Sequence, residues 1–133
     1  LSLGAVFGLF AGFYYWFPKM SGRMYSEALG QLHFWVFFIG VNVLFFPQHF
    51  LGLAGMPRRI PDYATQFTEW NMVSSIGAFG FGLSQILFVW LIVKCVRGGE
   101  RATAGVWDYQ HGLEWTVPSP APYHTFEKAP EVR

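Results

Sequence analysis

Residues 71–93 read NMVSSIGAFGFGLSQILFVWLIV, from Asn71 to Val93 without one acidic or basic side chain. At ~1.5 Å rise per residue, about 20 such residues cross a ~30 Å hydrocarbon layer. The stretch therefore predicts a membrane span. Two other stretches read alike: residues 1–18 carry no acid or base, and 28–56 carry none except His33 and His49. The charges lie in short clusters between them. The expected fold class is an all-α membrane protein with three transmembrane helices at about 1–18, 28–53 and 69–95. They form a segment 1–97, followed by an extended C-terminal tail, 98–133.

Composition agrees with this plan. Of 133 residues, 53% are hydrophobic, 20% aromatic and 13% charged, about half the ~25% charge of an average soluble domain. Disorder is excluded, because disordered chains are rich in charge and poor in aromatics. The lone Cys95 excludes a disulfide framework and a Cys-rich zinc site. A formal charge of +1 gives no reason to expect nucleic acid. Lys19, Arg23, Lys94, Arg97 and Arg101 would share one side of the membrane, against Arg58 and Arg59 on the other. The positive-inside rule then puts the first loop and the tail toward the cytoplasm or matrix.

The spans carry features that lipid alone does not need. Gly4, Gly8 and Gly12 at four-residue spacing predict a face that another helix approaches closely. Asn71, Ser74, Ser75, Ala78, Gly82 and Gln85 form a polar or small stripe on the third span, expected as a helix–helix seam or a wet path. The second span holds Gln31, His33, Asn42, Gln48 and His49, with Pro47 interrupting its hydrogen-bond ladder. No His or carboxylate stands three or four residues from His33 or His49, so a complete metal site within the chain is not expected. Between the second and third spans, Pro57 and Pro61 bracket Arg58 and Arg59. Prolines restrict themselves and their predecessors, so two guanidiniums are held in one geometry that suits a carboxylate or phosphate. Asp62, a lipid headgroup or the carboxylates of a cofactor are the candidate partners. In the tail, Trp107, Tyr109, Trp115, Tyr123 and Phe126 among four prolines predict a segment docked on a larger protein surface.

Several strings together resemble one family. Leu1-Ser2-Leu3-Gly4-Ala5-Val6-Phe7, Phe45-Phe46-Pro47-Gln48-His49-Phe50-Leu51-Gly52 and Gly55-Met56-Pro57-Arg58-Arg59 look like the last quarter of subunit I of the heme–copper oxidases, aa3 type. So do Trp70-Asn71 with Ser74-Ser75, and Leu113-Glu114-Trp115 followed by Ser119-Pro120-Ala121-Pro122-Tyr123-His124-Thr125-Phe126. The resemblance implies that the three spans are the last part of a twelve-helix bundle. It implies a share in the catalytic subunit of a proton-pumping cytochrome c oxidase, which reduces oxygen to water with electrons from cytochrome c. Arg58 and Arg59 would bind the propionates of heme a and heme a3, with Asp62 and Tyr63 supporting their loop. Ser2, His33 and Gln48 match positions proposed for a proton path, or for hydrogen bonds, beside a heme. The resemblance also implies a His-Phe-His string upstream of Leu1, and copper ligands further upstream. Irons and copper are thus expected to be ligated by a partner, the N-terminal part of a split subunit I on a separate chain. Other oxidase subunits and membrane lipids are the further expected partners. The expected membrane is the mitochondrial inner membrane, with the bacterial plasma membrane as the alternative. The competing function is a non-catalytic membrane scaffold or transporter half whose arginines bind anionic lipid.

Overall fold

The structure, a computed structural model, describes residues 2–108 and 111–130, without the side chain of Ser2. Three long helices account for most of it: α1 (Ser2–Ser21), α2 (Glu27–Leu53) and α3 (Thr68–Gly98). Short 3-10 turns occupy Thr65–Phe67 and Leu113–Thr116. Among the described residues there is no β-strand, only an isolated antiparallel bridge between Arg23 and Arg101.

The helix ends follow local chemistry. Glu27 and Glu69 lie in the first turns of α2 and α3, and Lys19 and Arg97 in the last turns of α1 and α3. Each charge complements the helix dipole at its end. After α1, Gly22 takes φ +70°, and its N–H bonds the Pro18 carbonyl at 2.9 Å. Pro18 and Pro47 both lie inside helices and are buried, and each removes one N–H from the i→i−4 ladder of its helix.

Glu27–Leu53 and Thr65–Gly98 are long and apolar enough to cross a membrane, with only 22% and 17% of their most apolar windows buried. The core helix of a soluble protein would be mostly buried. Here Trp35, Ile39, Phe46, Ile76, Phe79, Leu83 and Ile86 are instead exposed, an apolar surface far larger than water tolerates on a monomer. α1, built from Gly and aromatic residues more than aliphatic ones, is not among these two helices.

The chain forms two compact units, Leu1–Ser26 with Leu91–Arg133, and Glu27–Trp90. In the second, α2 packs on α3 through nearly bare backbone. A Cβ on Gly40 would lie 2.7 Å from Phe81 N, and one on Gly77 would collide with Leu44 N. Phe37 and Phe81 meet at 5.4 Å between ring centres, and His33 and Phe88 at 5.2 Å. The seam therefore runs along Ser74, Gly77, Phe81 and Ser84, with Ser74 and Ser84 fully covered. This corrects the expected stripe. Ala78 and Gly82 are exposed, and nothing approaches a Cβ on Gly82. The large Phe81 stands in the seam because glycine sits opposite it on α2.

In the first unit the tail returns to α1. Trp107 Nε1 donates to the Tyr15 carbonyl at 3.1 Å, and its ring stacks on Tyr15. Trp115 is buried edge-on to Tyr15. Lys19, itself buried, donates to the Val117 carbonyl and lies over the Trp115 ring at 5.5 Å. The surface that receives these tail aromatics belongs to the chain's own first helix.

Candidate functional site

α2 ends in a way that sets the arginine turn. Gly55, at φ +89°, donates its N–H to Gly52 O at 3.1 Å, and Met56 N donates to Leu51 O at 3.0 Å. This is the Schellman pairing, which closes the last carbonyls and reverses the chain through a glycine that can hold a left-handed φ. Pro57 then keeps the helix from continuing, because it has no N–H to donate and restricts the residue before it. The turn carries Arg58 and Arg59 outward, and Arg59 itself sits at φ 58°. For a residue with a side chain that conformation costs about 1–2 kcal/mol, a penalty the surrounding contacts must offset.

The contacts come from both neighbouring helices. Asn71 on α3 donates Nδ2 to Phe67 O at 2.8 Å and approaches Met56 Sδ at 3.5 Å. Phe50 on α2 lies against Trp70 on α3, 5.0 Å between ring centres. Gln48 Nε2 donates to Ser74 Oγ at 2.7 Å, and Ser74 Oγ donates to Leu44 O at 2.6 Å. The turn thus rests on a polar and aromatic brace between the two helices.

A cavity of about 420 Å³ opens under it, with Gln48, Leu51, Met56, Arg58, Arg59 and Tyr63 in its wall. Among the described residues no acidic side chain lines it. Asp62 is turned away, its Oδ1 accepting the N–H of Tyr63 at 2.8 Å. Among the described residues neither Arg58 nor Arg59 has a carboxylate partner. Arg58 and Arg59 are both exposed beside this cavity, and a planar guanidinium fork is best matched by carboxylate or phosphate oxygens.

Four of the expected site residues therefore share one place: Gln48, Arg58, Arg59 and Tyr63. Asp62 acts within the turn's backbone. His33 does not join them. It is buried between the Phe37 and Phe88 rings, fifteen residues from Gln48 on the same helix, roughly 22 Å at 1.5 Å per residue. The Ser2 side chain lies outside the described residues. Met56 and Ser74 join the site without having been singled out for it. The signal for Ser74 was its position on the third-span stripe; nothing in sequence spacing pointed to the Met56 sulfur. Among the described residues no group of three His, Cys, Asp or Glu side chains comes together to hold a metal ion.

The described residues thus form an all-helical fold of the membrane-protein class, with two helices long and apolar enough to cross a bilayer and a braced arginine pair over a cavity. Residues 1–80 match the family model for Cytochrome C and Quinol oxidase polypeptide I. Cytochrome c oxidase subunit 1 of Cereibacter sphaeroides is 53% identical over 98% of this chain. A putative cytochrome c oxidase subunit 1-beta of Streptomyces coelicolor is 45% identical over 96% of it. The chain belongs to the cytochrome c and quinol oxidase polypeptide I family. It spans 24% and 23% of the length of those two relatives.

Proposed function

We propose that the chain supplies the C-terminal part of the catalytic subunit of a proton-pumping cytochrome c oxidase, and that Arg58 and Arg59 bind the propionates of heme a and heme a3 there. The observation that carries this reading is the cavity beneath two guanidiniums that no described carboxylate neutralises. A heme offers two carboxylates on one edge, the complement of that pair. When bound, the hemes with copper supply electron transfer and the reduction of oxygen to water. This chain's own share is electrostatic and steric. The arginines hold negative charge in place, the Schellman turn and Pro57 fix their direction, and Gln48 offers an amide at the cavity wall. Ser2, His33 and Gln48 are assigned, apart from the arginines, to a proton path or to hydrogen bonds beside a heme.

The metal ligands in this reading lie in the remaining three quarters of such a subunit, so its N-terminal part is the first partner the chain requires. The other oxidase subunits and membrane lipid come next. Both relatives are bacterial, which favours a bacterial plasma membrane over the mitochondrial inner membrane expected at first. α2 and α3 would cross it, with the stretch up to residue 18 in α1 as the third span.

The test is potentiometry of the assembled oxidase carrying Arg58→Gln or Arg59→Gln. Removing a cation near a heme disfavours the reduced, more negative state. At least one heme midpoint is expected to fall, by roughly 50 mV or about tenfold in the one-electron equilibrium. Unchanged midpoints in both variants, with both hemes retained, would falsify the propionate assignment.

A further inference from the structure

A second pair of arginines belongs to the unit that contains α1 and the tail. Arg23 and Arg101 face each other across the antiparallel bridge. Two backbone bonds hold the bridge, Met24 N to Glu100 O at 2.8 Å and Ala102 N to Gly22 O at 2.9 Å. Directly opposed residues of an antiparallel pair put their side chains on one face, and like charges so placed repel. The structure nevertheless fixes them there. Arg23 Nη1 donates to Gly99 O at 3.0 Å, which holds one guanidinium in position.

The face they share is a cavity of about 230 Å³, with Ser21, Gly22, Arg23, Arg101, Ser119 and Pro120 in its wall and, among the described residues, no acid. The nearest acid in sequence, Glu100, belongs to the opposite face. Side chains alternate along extended backbone, and Glu100 and Met24 line a different cavity. Gly22 is required in the wall, since a Cβ there would fall 2.6 Å from Pro120 Cδ. Among the described residues Arg101 makes no hydrogen bond or ion pair. Arg23 stands two residues beyond the end of α1, and Arg101 three beyond the end of α3. Since α3 is long and apolar enough to cross a membrane, its end is where lipid phosphates lie and where basic residues attract them.

We propose that this cavity binds a phosphate group, the two guanidiniums gripping one oxyanion between the ends of α1 and α3. A phospholipid headgroup and free phosphate present the same chemistry, and the experiment separates them. The chain, purified with the subunits that accompany it from its membrane, is examined by native mass spectrometry after exchange into phosphatidylglycerol or phosphatidylcholine, and separately titrated with inorganic phosphate. Retained phosphatidylglycerol, lost roughly tenfold on Arg101→Gln as expected for a charge-assisted hydrogen bond, supports the site with lipid as the source. Binding of inorganic phosphate with the same dependence, and no retained lipid, supports it with free phosphate as the source. Arg23→Lys keeps the charge but not the fork, and is expected to bind less than wild type and more than Arg23→Gln. Arg97→Gln removes a nearby cation outside the cavity and should leave retention unchanged. The proposal is overturned if neither phosphate source binds, if Arg101→Gln changes nothing, if Arg97→Gln weakens binding equally, or if an acidic side chain of a neighbouring subunit fills the cavity.

Discussion

Arg59 combines two properties that one substitution can separate. Its left-handed φ strains the backbone, and the residue lines the cavity. Arg59→Gly removes both, so the turn should gain about 1 kcal/mol while the heme midpoint shifts as in Arg59→Gln. Thermal unfolding and potentiometry on the same preparation read the two effects independently. If Arg59→Gly left the potential at its wild-type value, the side chain would have no electrostatic role. Ser74 is the other decisive residue, because its hydroxyl both accepts from Gln48 and donates to the Leu44 carbonyl. Ser74→Ala should cost about 1–3 kcal/mol, the penalty for leaving a buried polar group unsatisfied. Ser74→Thr keeps the hydroxyl, and should retain the bond wherever the extra methyl fits. Arg58 and Arg59 were legible in sequence because two prolines bracket them. The role of Ser74 was not, because hydroxyls at a seam and hydroxyls facing lipid look the same in one dimension.

At the scale of the elements, the contact of α2 with α3 depends on two glycines on facing helices. Gly77→Ala would drive a methyl into the Leu44 backbone, and Gly40→Ala would press on Phe81. Backbone cannot move aside as a side-chain tip can, so each is expected to cost about 1–3 kcal/mol or more. Gly82→Ala meets nothing within 4 Å and should be neutral, or stabilising by up to about 1 kcal/mol through helix propensity. Comparing the unfolding midpoints of the three variants distinguishes the observed seam from the stripe expected on spacing. A Gly82 variant as damaged as the Gly77 one would restore the stripe. The expectation failed by a rotation of about 100°, one residue of helix. Ala78 and Gly82 lie one position beyond Gly77 and Phe81, and composition rewards small residues without registering a large ring accommodated by a glycine opposite. The same reserve applies to Gly4 and Gly8 on α1, where no described atom lies within 4 Å of a Cβ.

For the molecule as a whole, the tail is held to α1 by Trp107, Trp115 and Lys19. Burial pulls the Lys19 ammonium below its ordinary 10.5, and the nearby Glu114 carboxylate opposes that pull. In the interval between the lowered value and 10.5 the unfolded chain binds more protons than the folded one, so stability rises with pH there. Tail docking, followed by Trp fluorescence or limited proteolysis of the purified complex, should therefore strengthen as pH climbs through that interval. Glu114→Gln should steepen the dependence, because it removes a carboxylate whose charge favours the ammonium. A tail that loosens on the same titration would mean that the ammonium's bond to the Val117 carbonyl outweighs its desolvation.

Helix positions, the apolar character of α2 and α3, and the identity of the arginine turn were determined by the sequence alone. Uncharged runs, helix-end charges and proline spacing are local properties, set by solvation and by φ/ψ limits within a few residues. Which face of α3 meets α2, that Gln48 but not His33 reaches the arginine cavity, and that Arg23 meets Arg101 were decided only by tertiary structure. Those outcomes depend on the angular phase of two helices and on chain segments 78 positions apart. Close packing amplifies phase errors of one residue, because a methyl or a ring either fits against the facing backbone or does not.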